Sequence, residues 1–198
     1  MIFIARNDDS LLSRWWWTVD HWNLIQILML TIIGSIMILA AGSAVAIRNN
    51  LPELHFFIHH IYYLILSISA MIFTTFLSSK GIIRLSLIGF IICFILLILV
   101  MIIGPDIKGA SRWLIISGFS VQPSEFIKPF FVILTAYLIS NQYKAIKFLP
   151  LFITRLHISL LLLLGILLLL LKQPDLGMSV IIILIWSGQL FLAGISLR

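Results

Sequence analysis

Long apolar runs dominate this chain, and few folds can accommodate them. Six stretches are long enough or apolar enough to read as membrane spans: about 24–47, 56–77, 85–103, 124–140, 156–171 and 176–192. At ~1.5 Å per residue, about twenty such residues cross a bilayer core as a helix. The runs do not alternate, so helices are expected rather than barrel strands. Charged residues make up only 10% of the chain and hydrophobic residues 62%. A soluble domain carries about 25% charged residues to cover its surface. The expected fold is therefore an all-α, polytopic transmembrane helix bundle, a single integral membrane domain over residues 1–198.

Charge placement gives the chain a direction. The net charge of +6 could suggest nucleic acid, but the basic residues sit at the ends of apolar runs. That pattern fits orientation in a membrane and no nucleic-acid role. One side collects Arg6, Arg14, Lys80, Arg84, Lys144, Lys147, Arg155 and Arg198; the other holds only Arg48, Lys108, Arg112 and Lys172. The excess puts both termini in the cytoplasm and the loop around 104–124 outside. The N-terminal stretch lacks the pattern of a cleavable signal, so the first span is expected to act as an uncleaved anchor. Before it, Trp15, Trp16, Trp17 and Trp22 suit an interfacial anchor at the headgroup level. The adjacent His59 and His60 point to different sides of a helix and make a poor metal pair. Cys93, the single cysteine, lies mid-span and reads as a buried structural thiol.

The polar chemistry concentrates between Gly104 and Lys128, which carries Asp106, Lys108, Arg112, Glu125 and Lys128. The loop is expected to be irregular and interfacial, with Trp113, Leu114, Ile115, Ile116 and Phe119 dipping inward. Lys108 and Arg112 offer cations to phosphates, and Arg112 can grip a diphosphate with two donors. At its end, Pro123 keeps Gln122 out of a helix, and Ser124 is expected to cap the next one. Glu125 then sits in the first turn and Lys128 one turn on, on the same face. Pro129 should bend that helix or force another backbone partner. Two readings of Glu125 and Lys128 stand: an ion pair that makes burial tolerable, or part of a polar cavity that holds an anionic head group. Further on, Gln173-Pro174-Asp175 repeats the Gln122-Pro123-Ser124 arrangement, with Asp175 as an N-cap.

The pattern G-P-x-x-K-G-A-x-R-W-x-x-x-x-G-F-S-x-Q-P-S-E-F-x-K-P, with Q-P-D-L-G after it, resembles the signature of the SEDS family (shape, elongation, division and sporulation). It is most like the FtsW type, and NDDSLLSRWWWTVDHW is similar to the start of such proteins from alphaproteobacteria. The resemblance runs in order along essentially the whole chain. It implies a bacterial inner-membrane protein of about ten helices, of which this sequence matches the first six. It implies a peptidoglycan glycosyltransferase that polymerises lipid II at the outer face of the division septum. A class B penicillin-binding protein and other divisome membrane proteins would be its partners. Lys108, Arg112, Trp113, Gln122, Ser124, Glu125 and Lys128 match the family's outer-loop motif, and Gln173, Pro174, Asp175 and Gly177 match its second motif. Arg112, Lys128, Glu125, Lys108, Trp113, Gln122, Ser124 and Asp175 are thus the expected substrate-binding residues. The family's proposed catalytic aspartate lies in a later outer loop, between the seventh and eighth helices. Nothing in this sequence matches that loop, so no catalytic base is named and Asp175 is not put in its place. No cofactor is evident, and participation of a divalent cation is left open. Two other readings remain at this point: a lipid II flippase, and a truncated membrane scaffold of the divisome without chemistry.

Overall fold

Helix α1, Leu11–Thr18, carries three of the tryptophans and is followed at once by α2, His21–Arg48. The break between them is chemical. The Asp20 carboxylate accepts from the backbone N–H groups of Trp22 (2.9 Å) and Asn23 (3.3 Å), which caps α2. The helix therefore begins three residues earlier than its apolar run. The computed structural model describes residues 11–106, 109–116, 119–141 and 154–194, in two compact units, 1–77 and 78–198.

In the first unit α2 packs on α3, His55–Thr75. The Ser35 hydroxyl meets Nε2 of His60 at 3.1 Å, a polar bond between two apolar helices. His59 turns the other way, with Nδ1 2.9 Å from the His55 carbonyl oxygen. Trp15 does not simply sit among headgroups. Its indole N–H donates to the Thr75 hydroxyl at 2.7 Å, and its ring stacks on Phe76 at 5.8 Å between centroids. Trp16, Trp17 and Trp22 are exposed.

The second unit is a four-helix cluster: α4 (Ser79–Ile103), α5 (Pro123–Ser140), α6 (Arg155–Lys172) and α7 (Leu176–Leu192). α4 starts six residues before the expected span. The Ser78 hydroxyl caps it by accepting from the Gly81 N–H at 3.2 Å, so Lys80 and Arg84 lie on the helix rather than in a link. The core joins one face of each helix. Phe90, Cys93 and Leu97 of α4 meet Ile127, Phe131 and Leu134 of α5, Leu163, Ile166 and Leu170 of α6, and Met178 and Ile182 of α7. Steps of three and four place each set on one helix face. Cys93 is buried here. Polar bonds tie the cluster: the Thr135 hydroxyl donates to Oε1 of Gln189 at 2.7 Å, and the Gln189 amide donates to the Val132 carbonyl at 2.9 Å. Such bonds between membrane helices contribute roughly 0.6 kcal/mol each.

All six expected spans are helices. α2, α3, α4 and α6 are long and apolar enough to cross a membrane, whereas α7 has 17 residues. The 18 residues of α5 include Glu125, Lys128 and two prolines, and the helix runs on through Pro129. α4 and α5 approach closely at Gly89, where a Cβ would lie 2.5 Å from Cζ of Phe130. Gly89→Ala is expected to displace that ring and cost about 1–3 kcal/mol. A lower melting temperature in detergent, partly restored by Phe130→Leu, is the measurement that checks it.

The loop between α4 and α5 is not irregular throughout. Strands β1 (Leu114–Ile116) and β2 (Phe119–Val121) pair antiparallel, Leu114 with Val121 and Ile116 with Phe119. Only Ser117 and Gly118 separate them in sequence, and the flanking residues are β-branched and aromatic types that favour strands. The uniform inward dip is thereby corrected: Leu114 is 5% exposed and Ile115 is 61% exposed, because successive strand residues face opposite ways.

Candidate functional site

The ends of the four helices and the 104–122 loop come together at one end of the second unit. The loop leaves α4 at Gly104 and turns at Asp106, whose Oδ1 accepts from the Gly109 N–H at 2.7 Å. Gly109 has φ +81°, a left-handed conformation that a side chain would strain. The turn leads the chain into Arg112, just before β1.

Arg112 is the tie that the sequence did not reveal. Its Nε donates to the Gln173 carbonyl at 3.2 Å, and a terminal guanidinium nitrogen donates to the Pro174 carbonyl. The loop is thus fastened to the α6–α7 turn by a planar fork on two successive backbone oxygens. Among the described residues two of the five guanidinium N–H donors are used, which leaves three. Gln173 extends the tie inward: it is 2% exposed, and its side-chain amide donates to the Leu97 carbonyl of α4 at 3.0 Å. One arginine and one glutamine therefore connect the loop, the α6–α7 turn and α4. A polar pocket of about 160 Å³ lies between them, with Asp106, Ser111, Lys172 and Gln173 in its wall.

Glu125 and Lys128 form the expected pair on the first turns of α5, with Nζ 2.5 Å from Oε2. Their side chains are unequal in exposure, 23% for Lys128 and 51% for Glu125, so the acid faces out and the base is drawn toward the cluster. Lys128 Nζ also lies 3.7 Å from the Met178 sulfur of α7. The pair thus sits where α5 meets α7, beside the cap of the latter.

The two Gln-Pro turns are not equivalent. Pro123 occupies the first position of α5 and Gln122 its N-cap, because the fixed φ of proline suits that position. Ser124 is therefore inside the helix and does not cap it; its hydroxyl oxygen is buried without a partner. In the second turn Gln173 ends α6 and Asp175 does cap α7, accepting from the Met178 N–H at 3.3 Å. The other Asp175 oxygen is buried and unpartnered. Trp113 is partly exposed beside β1, and Gln122 is half-buried. Lys108 lies outside the described residues. Among the described residues no three metal-ligating side chains gather at one place. The described site gathers three cations, Arg112, Lys128 and Lys172, and three carboxylates, Asp106, Glu125 and Asp175, at one end of the cluster. Sequence reasoning missed Met178 and the two carbonyls that Arg112 grips, since neither carries a local signal.

Comparison with known proteins follows the same lines. A model of the FtsW/RodA/SpoVE family, described as cell cycle protein, matches residues 21–198. The chain is 31% identical over 192 residues to a probable peptidoglycan glycosyltransferase FtsW of Caulobacter vibrioides, covering 96% of this chain and 48% of that protein. It is 35% identical over 168 residues to the counterpart in Pseudomonas fluorescens, covering 83% and 40%. The chain spans about half the length of the curated relatives it matches. Among solved structures, the rod shape determining protein RodA of Thermus thermophilus superposes with a TM-score of 0.60 at 24% identity, over 83% of this chain and 54% of that one. A peptidoglycan synthase complex, solved for how it coordinates polymerization and crosslinking, gives a TM-score of 0.60 at 24% identity, over 83% and 48%. These likenesses support the helical membrane fold.

Proposed function

The chain belongs to the FtsW/RodA/SpoVE family of cell cycle proteins, and on that premise we propose that it forms the head-group-holding portion of an FtsW-type peptidoglycan glycosyltransferase. The substrate is lipid II, and the site faces the outer side of the inner membrane, with both ends of the sequence toward the cytoplasm. The reaction joins the 4-hydroxyl of one lipid II to the anomeric carbon of another, and undecaprenyl diphosphate departs. It needs a base for the hydroxyl and positive charge where the diphosphate leaves. Lys128 and Arg112 supply that charge. Glu125 orients Lys128, and Arg112 holds the loop while directing its remaining donors at the diphosphate. Asp175 serves by fixing the start of α7 beside Lys128. A class B penicillin-binding protein is the natural partner, since cross-linking must follow polymerisation.

One observation carries this reading: a lysine held by its glutamate at 2.5 Å, less than a quarter exposed, on the first turns of a helix at the polar end of the cluster. The decisive assay supplies the chain with lipid II and the partner synthase and looks for glycan strands, with and without EDTA to settle whether a divalent cation takes part. Polymer from this chain supports the full reading. Lipid II binding without polymer limits it to head-group holding. Scrambling of a fluorescent lipid II across liposomes without polymer favours transport instead, and absence of any lipid II binding rejects the proposal.

A further inference from the structure

The first unit contains a groove that the reading above does not use. It has a volume of about 390 Å³ and lies between the start of α2 and the end of α3. That size is within the roughly 300–1,000 Å³ of ordinary small-molecule sites. Its character changes along its length. Leu24, Ile27 and Ile72 line an apolar stretch, whereas Asp20 and Asn23 lie at the other end, next to the Trp15–Thr75 hydrogen bond. The exposed Trp16, Trp17 and Trp22 mark that polar end as the membrane–water interface. A groove apolar toward the bilayer and polar at the interface has the polarity profile of a phospholipid.

The charge at the mouth selects among headgroups. Asp20 is the one formally charged residue in the groove's described lining. Its two oxygens accept from two backbone N–H groups and the Asn23 amide, which fixes the carboxylate in place, and the positive end of α2 offsets only part of its charge. A fixed anion with no cation beside it in the groove's described lining repels an anionic headgroup and attracts an ammonium. A primary ammonium can also donate hydrogen bonds to it, which a quaternary one cannot. We propose that this groove holds a phospholipid with a primary-amine headgroup, its amine at Asp20 and an acyl chain along Leu24, Ile27 and Ile72. The site is independent of lipid II and of the glycosyltransferase reading.

The test is native mass spectrometry of the full 198-residue chain released from micelles doped with equal phosphatidylethanolamine, phosphatidylcholine and phosphatidylglycerol. Phosphatidylethanolamine adducts are expected to exceed each of the others by up to about five-fold, the upper end for an exposed ion pair. In Asp20→Asn, whose side-chain oxygen still caps α2, the preference is expected to fall to near unity with circular dichroism unchanged. Ile72→Trp, which fills the groove, is expected to lower phosphatidylethanolamine adducts without touching the cap. Equal retention of the three lipids by the native chain overturns the proposal. So does preference for phosphatidylglycerol, an undiminished preference in Asp20→Asn, undiminished adducts in Ile72→Trp, or a second copy of the chain bound in place of lipid.

Discussion

Arg112→Ala frees the α6–α7 turn. The substitution removes both donors that reach the Gln173 and Pro174 carbonyls, sixty-one and sixty-two residues away in sequence. Hydrogen bonds from a charged group contribute about 1.5–3 kcal/mol each, and partial exposure of the guanidinium lowers that toward a combined value of about 2 kcal/mol. A local opening made easier by about 2 kcal/mol is roughly thirty times more frequent. Amide exchange is the direct measurement. The Asp175 N–H, held by the Leu170 carbonyl at 2.9 Å, and the Met178 N–H, held by the Asp175 cap, should exchange about thirty-fold faster. Amides in the middle of α4 should not change. Arg112→Lys should restore only part of the protection, because an ammonium cannot bridge two carbonyls as a planar fork does. Unchanged exchange in Arg112→Ala would mean that the turn is held by α6 and α7 alone. The experiment also separates holding the loop from holding a ligand: a purely ligand-gripping arginine would leave apo exchange untouched.

That tie marks the boundary of what the sequence could disclose. The helices were legible because membrane spans need long apolar runs. The Asp175 cap and the Glu125–Lys128 pair were legible because they depend on spacing of three within one helix, and local geometry settles them. The hairpin was missed, the loop being read as irregular. Leu114–Ile116 and Phe119–Val121 have strand-like composition, but six residues beside a polar loop carry too little periodicity to override an interfacial reading. Ser124 misled for a related reason. Serine is a good cap in general, but Pro123 before it fits the first helical position, which moves the cap to Gln122 and leaves the hydroxyl inside.

Packing faces were not legible at all. α4 and α6 are apolar nearly all round, so the sequence does not say that Leu97 and Leu170 are fully buried while Ile102 and Leu168 are exposed. In water an apolar stripe betrays the core; beside lipid both faces are greasy, and shape decides. The acceptors of Arg112 were hidden more deeply. They are backbone carbonyls, which every residue has, so no side-chain identity announces them. Met178 stands beside Lys128 for a reason of the same kind, the approach of α5 to α7, which no local pattern encodes.

Lys128→Met should separate structure from function at the charge pair. Two outcomes compete. If the pair exists to make burial tolerable, removing the base strands Glu125 in an apolar setting and destabilises the cluster. The exposures argue against that: Glu125 is 51% exposed and can be solvated alone, while a methionine at 128 can pack against Met178. The fold is therefore expected to change by less than about 1 kcal/mol, the range for exposed pairs. Lipid II binding is expected to weaken far more. A lysine contact to a diphosphate is a charge-assisted bond of about 1.5–3 kcal/mol, or roughly ten- to a hundred-fold in affinity. Titration of fluorescent lipid II into the chain in nanodiscs measures the binding, and thermal melting of the same preparation measures the fold. Carrying the change into a full-length relative should lower turnover in parallel. The exchange Glu125→Lys with Lys128→Glu then sorts the roles. A structural pair recovers when the charges swap, whereas a cation needed at position 128 does not, because the swapped lysine sits three residues away on the exposed side of the turn. Normal lipid II affinity in Lys128→Met would make the lysine a structural partner of Glu125 and return the head group to Arg112 and Lys172.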